Sequence, residues 1–192
     1  MKETLFIIFC VVIFCVVYML NDSSLIKIER NGNTVMVRES PNKEQSADLL
    51  SQLIINMFKL RDYLVENKSN FPEEEEYIDL LEKNFNKNRT KIYETSLNSK
   101  YTSYSINKGE ELVFCLRCKQ TNNLHSLNLL TYVAVHEMAH TACSETGHTP
   151  LFNHIFKFML EQAVELKIYE YEDYSKNPVE YCGMKLYTNI LN

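Results

Sequence analysis

The sequence lacks an excess of positive charge. Its 192 residues contain 20 lysines and arginines against 25 aspartates and glutamates, which gives a formal net charge of −5 at pH 7. Proteins that bind nucleic acid normally carry a basic patch or stripe. The charge balance therefore argues against a nucleic-acid-binding protein, and we expect no nucleic acid among its partners. The length and the 45% of hydrophobic residues suit one domain with a short accessory segment.

The sequence also lacks the paired cysteine motifs of a zinc ribbon. Cys115 and Cys118 have C-x-x-C spacing, but there is no second such pair, and they follow a predicted strand rather than precede a helix. A zinc ribbon or a thioredoxin-type redox site is therefore disfavoured. In an oxidising compartment we expect Cys118 or Cys143 to pair with Cys182, and in a reducing compartment we expect free thiols.

The N-terminal region carries an apolar run without the marks of a cleaved signal peptide. Residues 5–20 contain no charged side chain, slightly short of the roughly 20 residues that a membrane span needs. A cleaved signal would have a more basic start and small residues at the cleavage site, whereas residues 18–20 are large. We therefore expect an uncleaved transmembrane helix and a single-pass membrane protein, and the membrane side stays undecided.

Hydrophobic periodicity predicts an α+β fold behind this run. Alternation over residues 25–37, interrupted by Asn31-Gly32, predicts a β-hairpin. Apolar residues at three- and four-residue spacing predict a long helix over 45–67. The pattern over 91–117 is typical of strands and predicts a small antiparallel sheet of two or three strands.

Histidine is scarce, and its placement indicates a metal site. Three of the five histidines fall within thirteen residues. The motif His136-Glu137-x-x-His140 places two imidazoles one turn apart on one face of a predicted helix over 123–142. Such a pair can bind a divalent metal ion, and Glu137 can act as general base on a metal-bound water. His148, just past the predicted helix end, is the natural third ligand.

The alternative interpretation of the motif is a surface helix that carries two histidines and a glutamate without a ligand. The preceding residues 129–135 are mainly apolar, which indicates a buried helix. Polar side chains on a buried helix are costly unless they are satisfied. A bound metal ion would satisfy them.

Two further regions hold candidates for supporting roles. His154 lies on the next predicted helix, over 150–166, and is a reserve ligand, although a single histidine on a helix is more often structural or exposed. The tyrosine-rich region 167–192 could fold back over the site, with Glu180 and Tyr181 as candidates for supporting residues.

Around the motif the sequence resembles the SprT-like and WLM families of zinc metallopeptidases, the Spartan and Wss1 type. Their pattern is H-E-x-x-H on a helix, a short loop, then Gly-His and an aromatic residue that opens a second helix. Here seven residues separate His140 from His148, and Phe152 follows. The resemblance covers about fifty residues, 126–175. It implies a zincin-like fold with Zn²⁺ held by the three histidines and Glu137 as general base.

A second resemblance concerns the 177–184 stretch and the N-terminal apolar run. Together they resemble uncharacterised proteins of large DNA viruses that carry this domain, so we expect a viral protein. The predicted organisation is a transmembrane anchor over 1–22, a hairpin and linker over 23–42, and a zincin-like metallopeptidase domain over 43–192.

These observations predict a membrane-anchored zinc metallopeptidase that hydrolyses peptide bonds in protein or peptide substrates. The alternative is a catalytically silent structural membrane or virion protein that zinc stabilises. The sequence keeps Glu137, which a scaffold would not need, and this favours the enzyme. The DNA-repair members of these families are soluble and carry DNA-binding modules, which are not found here, so repair of DNA–protein crosslinks is not implied.

Overall fold

The computed structural model describes residues 7–13, 25–97 and 99–192, which form an α+β arrangement. Its strands are β1 (Leu25–Arg30), β2 (Asn33–Arg38), β3 (Lys91–Glu94), β4 (Tyr104–Ile106), β5 (Glu111–Phe114), β6 (Val179–Tyr181) and β7 (Met184–Leu186). Behind a helical stretch at 7–13, its helices are α1 (Lys43–Glu66), α2 (Glu75–Asn84), α3 (Leu127–Ala142) and α4 (Pro150–Glu165). A 3₁₀ turn covers Lys68–Asn70.

The predicted hairpin is confirmed as β1 and β2. Asn31 and Gly32 have φ angles of 48° and 77°, and two left-handed residues are what a type I′ turn between antiparallel strands requires. The hairpin also joins the main sheet, because Met36 of β2 pairs in parallel with Tyr93 of β3. A domain boundary after residue 42 stays a prediction.

The main sheet is mixed, whereas an antiparallel sheet was predicted. Its strand order is β1-β2-β3-β5-β4. The pairs β2–β3 and β3–β5 are parallel, while β1–β2 and β4–β5 are antiparallel. Parallel neighbours need a long crossover connection, and α1 and α2 provide one between β2 and β3. Local periodicity indicates strands but not their relative direction, which explains the error.

The core lies between the sheet and the helices. Val35 and Val37 of β2 are fully buried, as are Leu50, Leu53 and Leu60 of α1. The helix α3 contacts α1, α2, α4 and the strands β4 and β5, and twelve of its sixteen residues are buried. The prediction of a buried helix for the H-E-x-x-H motif is therefore confirmed.

A buried charge cluster fastens the sheet to the start of α1. Glu94 is 0% exposed and accepts hydrogen bonds from Nε of Arg117 at 2.8 Å and from the backbone N–H of Arg38 at 2.7 Å. The Arg117 guanidinium also donates to Asn42 and Ser46. The negative charge of the buried Glu94 therefore balances the positive charges of Arg38 and Arg117, which lie far apart in the sequence.

We predict that Glu94→Ala destabilises the protein by about 3–5 kcal/mol, because two buried guanidinium groups lose their counterion. Urea denaturation followed by circular dichroism measures the change. The control is Glu161→Ala on the exposed side of α4, which we expect to shift stability by less than about 0.5 kcal/mol. Equal effects of the two substitutions would show that the cluster contributes little.

The structure corrects the prediction of an N-terminal transmembrane helix. A spanning helix needs about 20 apolar residues to cross roughly 30 Å of hydrocarbon. Over the ranges given above, no helix is both long enough and apolar enough to cross a membrane. The helical residues 7–13 reach only about 10 Å, and the rest of the predicted anchor, in 1–6 and 14–22, lies outside the described residues. The prediction of a single-pass membrane protein, with the membrane as a partner, is wrong on this finding.

Candidate metal centre

The helix α3 places the first two histidines on one face. It begins after Ser126, whose side chain accepts a hydrogen bond from the Leu129 backbone N–H at 3.2 Å. The rings of His136 and His140 lie one turn apart, with centroids separated by 5.0 Å. Because residues four apart lie on the same face of a helix, the two imidazoles are neighbours.

The start of α4 brings His148 to this pair. Thr149 caps α4 by accepting a hydrogen bond from the Phe152 backbone N–H at 3.2 Å, and Pro150 occupies the first turn. His148 directly precedes this cap, and its Nε2 atom lies 3.1 Å from that of His136. The ligand nitrogens of the three histidines all lie within 4.8 Å of one another. The structure therefore brings together the three residues that were predicted as metal ligands.

Phe152 packs against all three imidazoles. Its ring stacks on that of His140 at 4.2 Å between centroids and lies 5.0 Å from His136 and 4.9 Å from His148. It is only 1% exposed, so the contact is fixed by the core. One aromatic side chain therefore contacts all three imidazole rings.

The turn between β4 and β5 fastens the loop that carries His148. The Lys108 ammonium donates to the backbone oxygens of Cys143 and Glu145, at 2.7 and 2.6 Å. At Gly109 a Cβ atom would lie 2.8 Å from Cγ2 of Thr141, so only glycine allows the turn to approach α3 this closely. Sequence analysis missed both residues, because nothing in the local pattern of a turn indicates which loop it contacts.

Burial keeps two of the histidines neutral. It lowers the pKa of His136 to about 3 and that of His140 to about 4, with smaller contributions from the neighbouring imidazoles and, for His140, from Lys108. Both rings are therefore unprotonated at neutral pH, and a neutral imidazole is the form that binds a metal ion. No proton has to be displaced from them when a cation enters.

Glu137 lies beside the cluster in a buried position. It is 6% exposed, and this burial raises the pKa of its carboxyl group to about 7. A carboxylate is poorly solvated there, so its charged form is disfavoured until a cation compensates it. The group is thus poised to exchange a proton near neutral pH.

We predict that the buried carboxyl group of Glu137 makes the metal-free protein less stable as the pH rises. Its pKa is raised from 4.5 in the unfolded chain to about 7, so its favourable contribution is complete below pH 4.5 and is lost as the pH rises through 7. We expect Glu137→Gln to be more stable than the parent by roughly 3 kcal/mol at pH 8, with the difference vanishing near pH 4. Denaturant titrations in the presence of a chelator test this, and a pH-independent difference would contradict it.

Two clefts border the histidine cluster. The cleft on the Glu137 and His140 side has a volume of about 420 Å³ and is lined by polar residues and by Ser105 of β4. The cleft on the His136 and His148 side measures about 600 Å³ and is lined by α4 and by the C-terminal residues 185–190. β4 is one of the two edge strands of the described sheet, and its Ser105 lines the cleft beside Glu137 and His140.

The C-terminal region folds back over the site, as predicted. Tyr181 is 2% exposed and its hydroxyl group is hydrogen-bonded to Ser103, while burial raises the pKa of Tyr181 well above its ordinary value. Glu180 instead accepts a hydrogen bond from the backbone N–H of Gly183 at 2.5 Å. Of the two candidates, Tyr181 is therefore the one that is buried next to the centre.

A disulfide bond ties this region to the sheet. It joins Cys115, at the end of β5, to Cys182, with Cα atoms 6.3 Å apart. Cys118 and Cys143 are free thiols, so the predicted pairing of one of them with Cys182 is wrong. Sequence spacing cannot choose among cysteine pairings, because the choice depends on which segments meet in the fold.

His154 is not part of the cluster. Its Nε2 atom lies 3.1 Å from both carboxylate oxygens of Glu74, and its side chain is exposed. The interpretation of His154 as a reserve ligand therefore finds no support in its position. It is an exposed partner of an acidic residue at the start of α2.

Comparisons with known proteins identify viral relatives and a shared fold. The chain is 37% identical to the uncharacterized protein R325 of Acanthamoeba polyphaga mimivirus over 171 residues, which cover 89% of this chain and 86% of that protein. It is 38% identical over 98 residues to the uncharacterized protein 136R of Invertebrate iridescent virus 6, covering 50% of this chain and 53% of that protein. A scan against models of protein families finds no match.

Among solved structures, a Wss1 mutant from Saccharomyces cerevisiae has a TM-score of 0.51 and 17% identity, covering 69% of this chain and 90% of that chain. At this identity the likeness shows the fold alone. The predicted resemblance to the WLM type is thus confirmed as a similarity of fold, and the predicted likeness to viral proteins is confirmed by the relatives.

Proposed function

This chain belongs to the family of the mimivirus protein R325, and we propose that it is a zinc-dependent peptidase. The observation that carries the proposal is the convergence of three imidazole ligand nitrogens within 4.8 Å of one another, beside the buried carboxyl group of Glu137. His136, His140 and His148 would hold the metal ion, and Glu137 would serve as general base. The fold shared with Wss1 agrees with this function but does not establish it.

The geometry of the histidines fits a zinc ion. Zinc binds imidazole nitrogens at about 2.0–2.1 Å in a tetrahedral arrangement, which places two such nitrogens about 3.3 Å apart. The Nε2 atoms of His136 and His148 are 3.1 Å apart. Three protein ligands leave a fourth position open, which is characteristic of catalytic rather than structural zinc sites.

The reaction follows from the chemistry of these groups. A zinc ion held by these histidines would supply a Lewis acid, which would polarise a peptide carbonyl and lower the pKa of water so that it can be deprotonated. Glu137 accepts the proton of the attacking water and delivers it to the leaving amine. The adjacent cation favours the carboxylate form of Glu137, which is the form that accepts a proton.

The edge strand β4 provides a place for the substrate backbone. An extended peptide can add to a free strand edge through main-chain hydrogen bonds, which hold it without selecting its sequence. Ser105 of β4 lines the same cleft as Glu137 and His140. A peptide paired with β4 would therefore pass over the histidine cluster with a scissile bond within reach of Glu137.

We predict that Glu137→Gln retains stoichiometric zinc and loses peptidase activity by a factor of about 10²–10⁴, because the general base is removed while the ligands remain. Cleavage of an unfolded protein, followed by mass spectrometry, measures activity, and elemental analysis measures zinc. Glu161→Gln, on the exposed side of α4, is the matched control and should cleave like the parent.

The outcomes of this experiment separate the alternatives. Cleavage by the Glu137→Gln variant at the parent rate would contradict the assigned role. A parent protein that binds zinc but cleaves no substrate would instead favour a structural protein that the metal stabilises.

We also predict that His148→Ala weakens zinc binding by more than about 100-fold, since loss of a group that only orients a ligand already costs about 10–100-fold. Competition with a chromophoric chelator measures the affinity. His154→Ala, six residues away and outside the cluster, is the matched control and should leave the affinity unchanged. Equal affinities of the two variants would exclude His148 as a ligand.

A further inference from the structure

The loop that carries His148 is exposed and is held by a lysine. Residues 144–148 are all exposed, and in the part of the chain that the structure describes, Lys108 is the one side chain that donates hydrogen bonds to residues 143–147. The accepting oxygens lie at and just beyond the end of α3, where carbonyl groups have no partner within the helix. The position of the third proposed ligand therefore depends on what holds Lys108.

The turn that presents Lys108 has an unfavourable backbone conformation. Asn107, Lys108 and Gly109 have φ angles of 49°, 53° and 97°, so three successive residues are left-handed. This conformation costs a residue with a Cβ atom roughly 1–2 kcal/mol, and it persists only where the surrounding structure imposes it. The turn therefore needs contacts that hold it in place.

Arg89 supplies these contacts. Its guanidinium donates to the backbone oxygens of Asn107 at 2.8 Å and Lys108 at 2.9 Å. The same group donates to the backbone oxygen of Asn84, the last residue of α2, at 2.8 Å. Because a guanidinium presents its donors in a rigid planar fork, the three carbonyl oxygens are held in one arrangement. Arg89 thereby ties the turn to the end of α2.

The end of α2 is in turn bound to the end of α3. The side-chain amide of Asn84 donates to the backbone oxygen of Thr141 at 2.9 Å. A Cβ atom at Gly109 would lie 3.1 Å from the Asn84 backbone oxygen, so the turn packs closely on this junction. Arg89 therefore joins the two groups that bind carbonyl oxygens at the end of α3, which are the Asn84 amide and the Lys108 ammonium.

We propose that Arg89 is a positioning residue for the third metal ligand. It fixes the turn at 107–109, the turn directs Lys108 to the 143–147 loop, and the loop holds His148 beside the other two imidazoles. This inference rests on the proposed function and adds a support that acts on the zinc centre through other residues. The apparent affinity for a ligand falls with the fraction of molecules in the binding-competent state, so loss of this support should weaken zinc binding.

Zinc affinities of single variants test the support. We expect Arg89→Met to weaken zinc binding about 10-fold, the lower end of what loss of a group that orients a ligand costs, as measured by competition with a chromophoric chelator. Lys119→Met is the matched control and should leave the affinity unchanged. Lys119 also donates to two backbone oxygens, those of Ser99 and Tyr101 at 3.1 and 3.2 Å, but it lines neither cleft beside the histidines. An unchanged affinity in Arg89→Met, or an equal loss in Lys119→Met, would overturn the inference and leave the zinc centre standing.

Combined variants show whether Arg89 acts through the proposed route. In the His148→Ala background, Arg89→Met should cause no further loss of zinc affinity, since the ligand that it positions is absent. Addition of Arg89→Met to Lys108→Met should cost less than the sum of the two single losses, because residues in one network of contacts are not additive. Equal losses with and without His148, or full additivity with Lys108→Met, would contradict this route and indicate a general effect on the fold.

Two checks separate this inference from unfolding and from the proposed function. Circular dichroism verifies that each variant folds, and Arg89→Lys replaces Arg89→Met if the latter does not fold, because lysine keeps the charge but lacks the planar fork. A parent chain that takes up no zinc would contradict the zinc centre and this support together. A parent that binds zinc without cleaving peptides would contradict the peptidase alone, and the measured affinities would still decide the role of Arg89.

Discussion

The candidate site depends on the burial of α3. This helix lies against three other helices and two strands, so the histidines and the glutamate that it carries are removed from water. Burial disfavours the charged forms of all of them, which leaves the pKa of His136 at about 3 and raises that of Glu137 to about 7. A divalent cation would relieve the cost of burying this carboxylate, and the neutral imidazoles would bind the cation. The burial of α3 thus both packs the helix into the core and shifts the pKa values of the side chains at the site.

The position of His148 depends on contacts that are distant in sequence. α3 fixes only two imidazoles, and the third is placed where the Thr149 cap opens α4. Lys108 holds the intervening loop through two backbone oxygens, and Phe152 packs against all three rings. These contacts preorganise the cluster, so a metal ion would enter with little rearrangement of the protein. Preorganised ligands are what a catalytic metal site needs to keep an open coordination position.

Local sequence signals predicted the parts of the site that local interactions determine. The spacing of His136 and His140 and the Asn31-Gly32 turn each involve residues within four positions of one another. The parallel strand pairs, the Cys115–Cys182 bond and the contacts of Lys108 depend on which distant segments meet, and no local pattern contains that information. The transmembrane prediction relied on composition alone, and composition does not determine where a helix begins or ends.

The C-terminal region lines one side of the candidate site. Its disulfide bond to β5 and the hydrogen bonds of Asn189 hold residues 185–190 beside the proposed ligands. Leu186, Tyr187 and Ile190 thereby line the cleft beside His136 and His148. A region without strong periodicity in the sequence therefore shapes the surface that a substrate would meet.

We have proposed that His136, His140 and His148 hold a catalytic zinc ion. X-ray absorption spectroscopy at the zinc edge of the purified protein tests it most directly, because the spectrum reports the number and type of ligand atoms. We expect three imidazole nitrogens and one further nitrogen or oxygen at about 2.0–2.1 Å. A sulfur ligand at about 2.3 Å, or a protein that takes up no zinc, would contradict it.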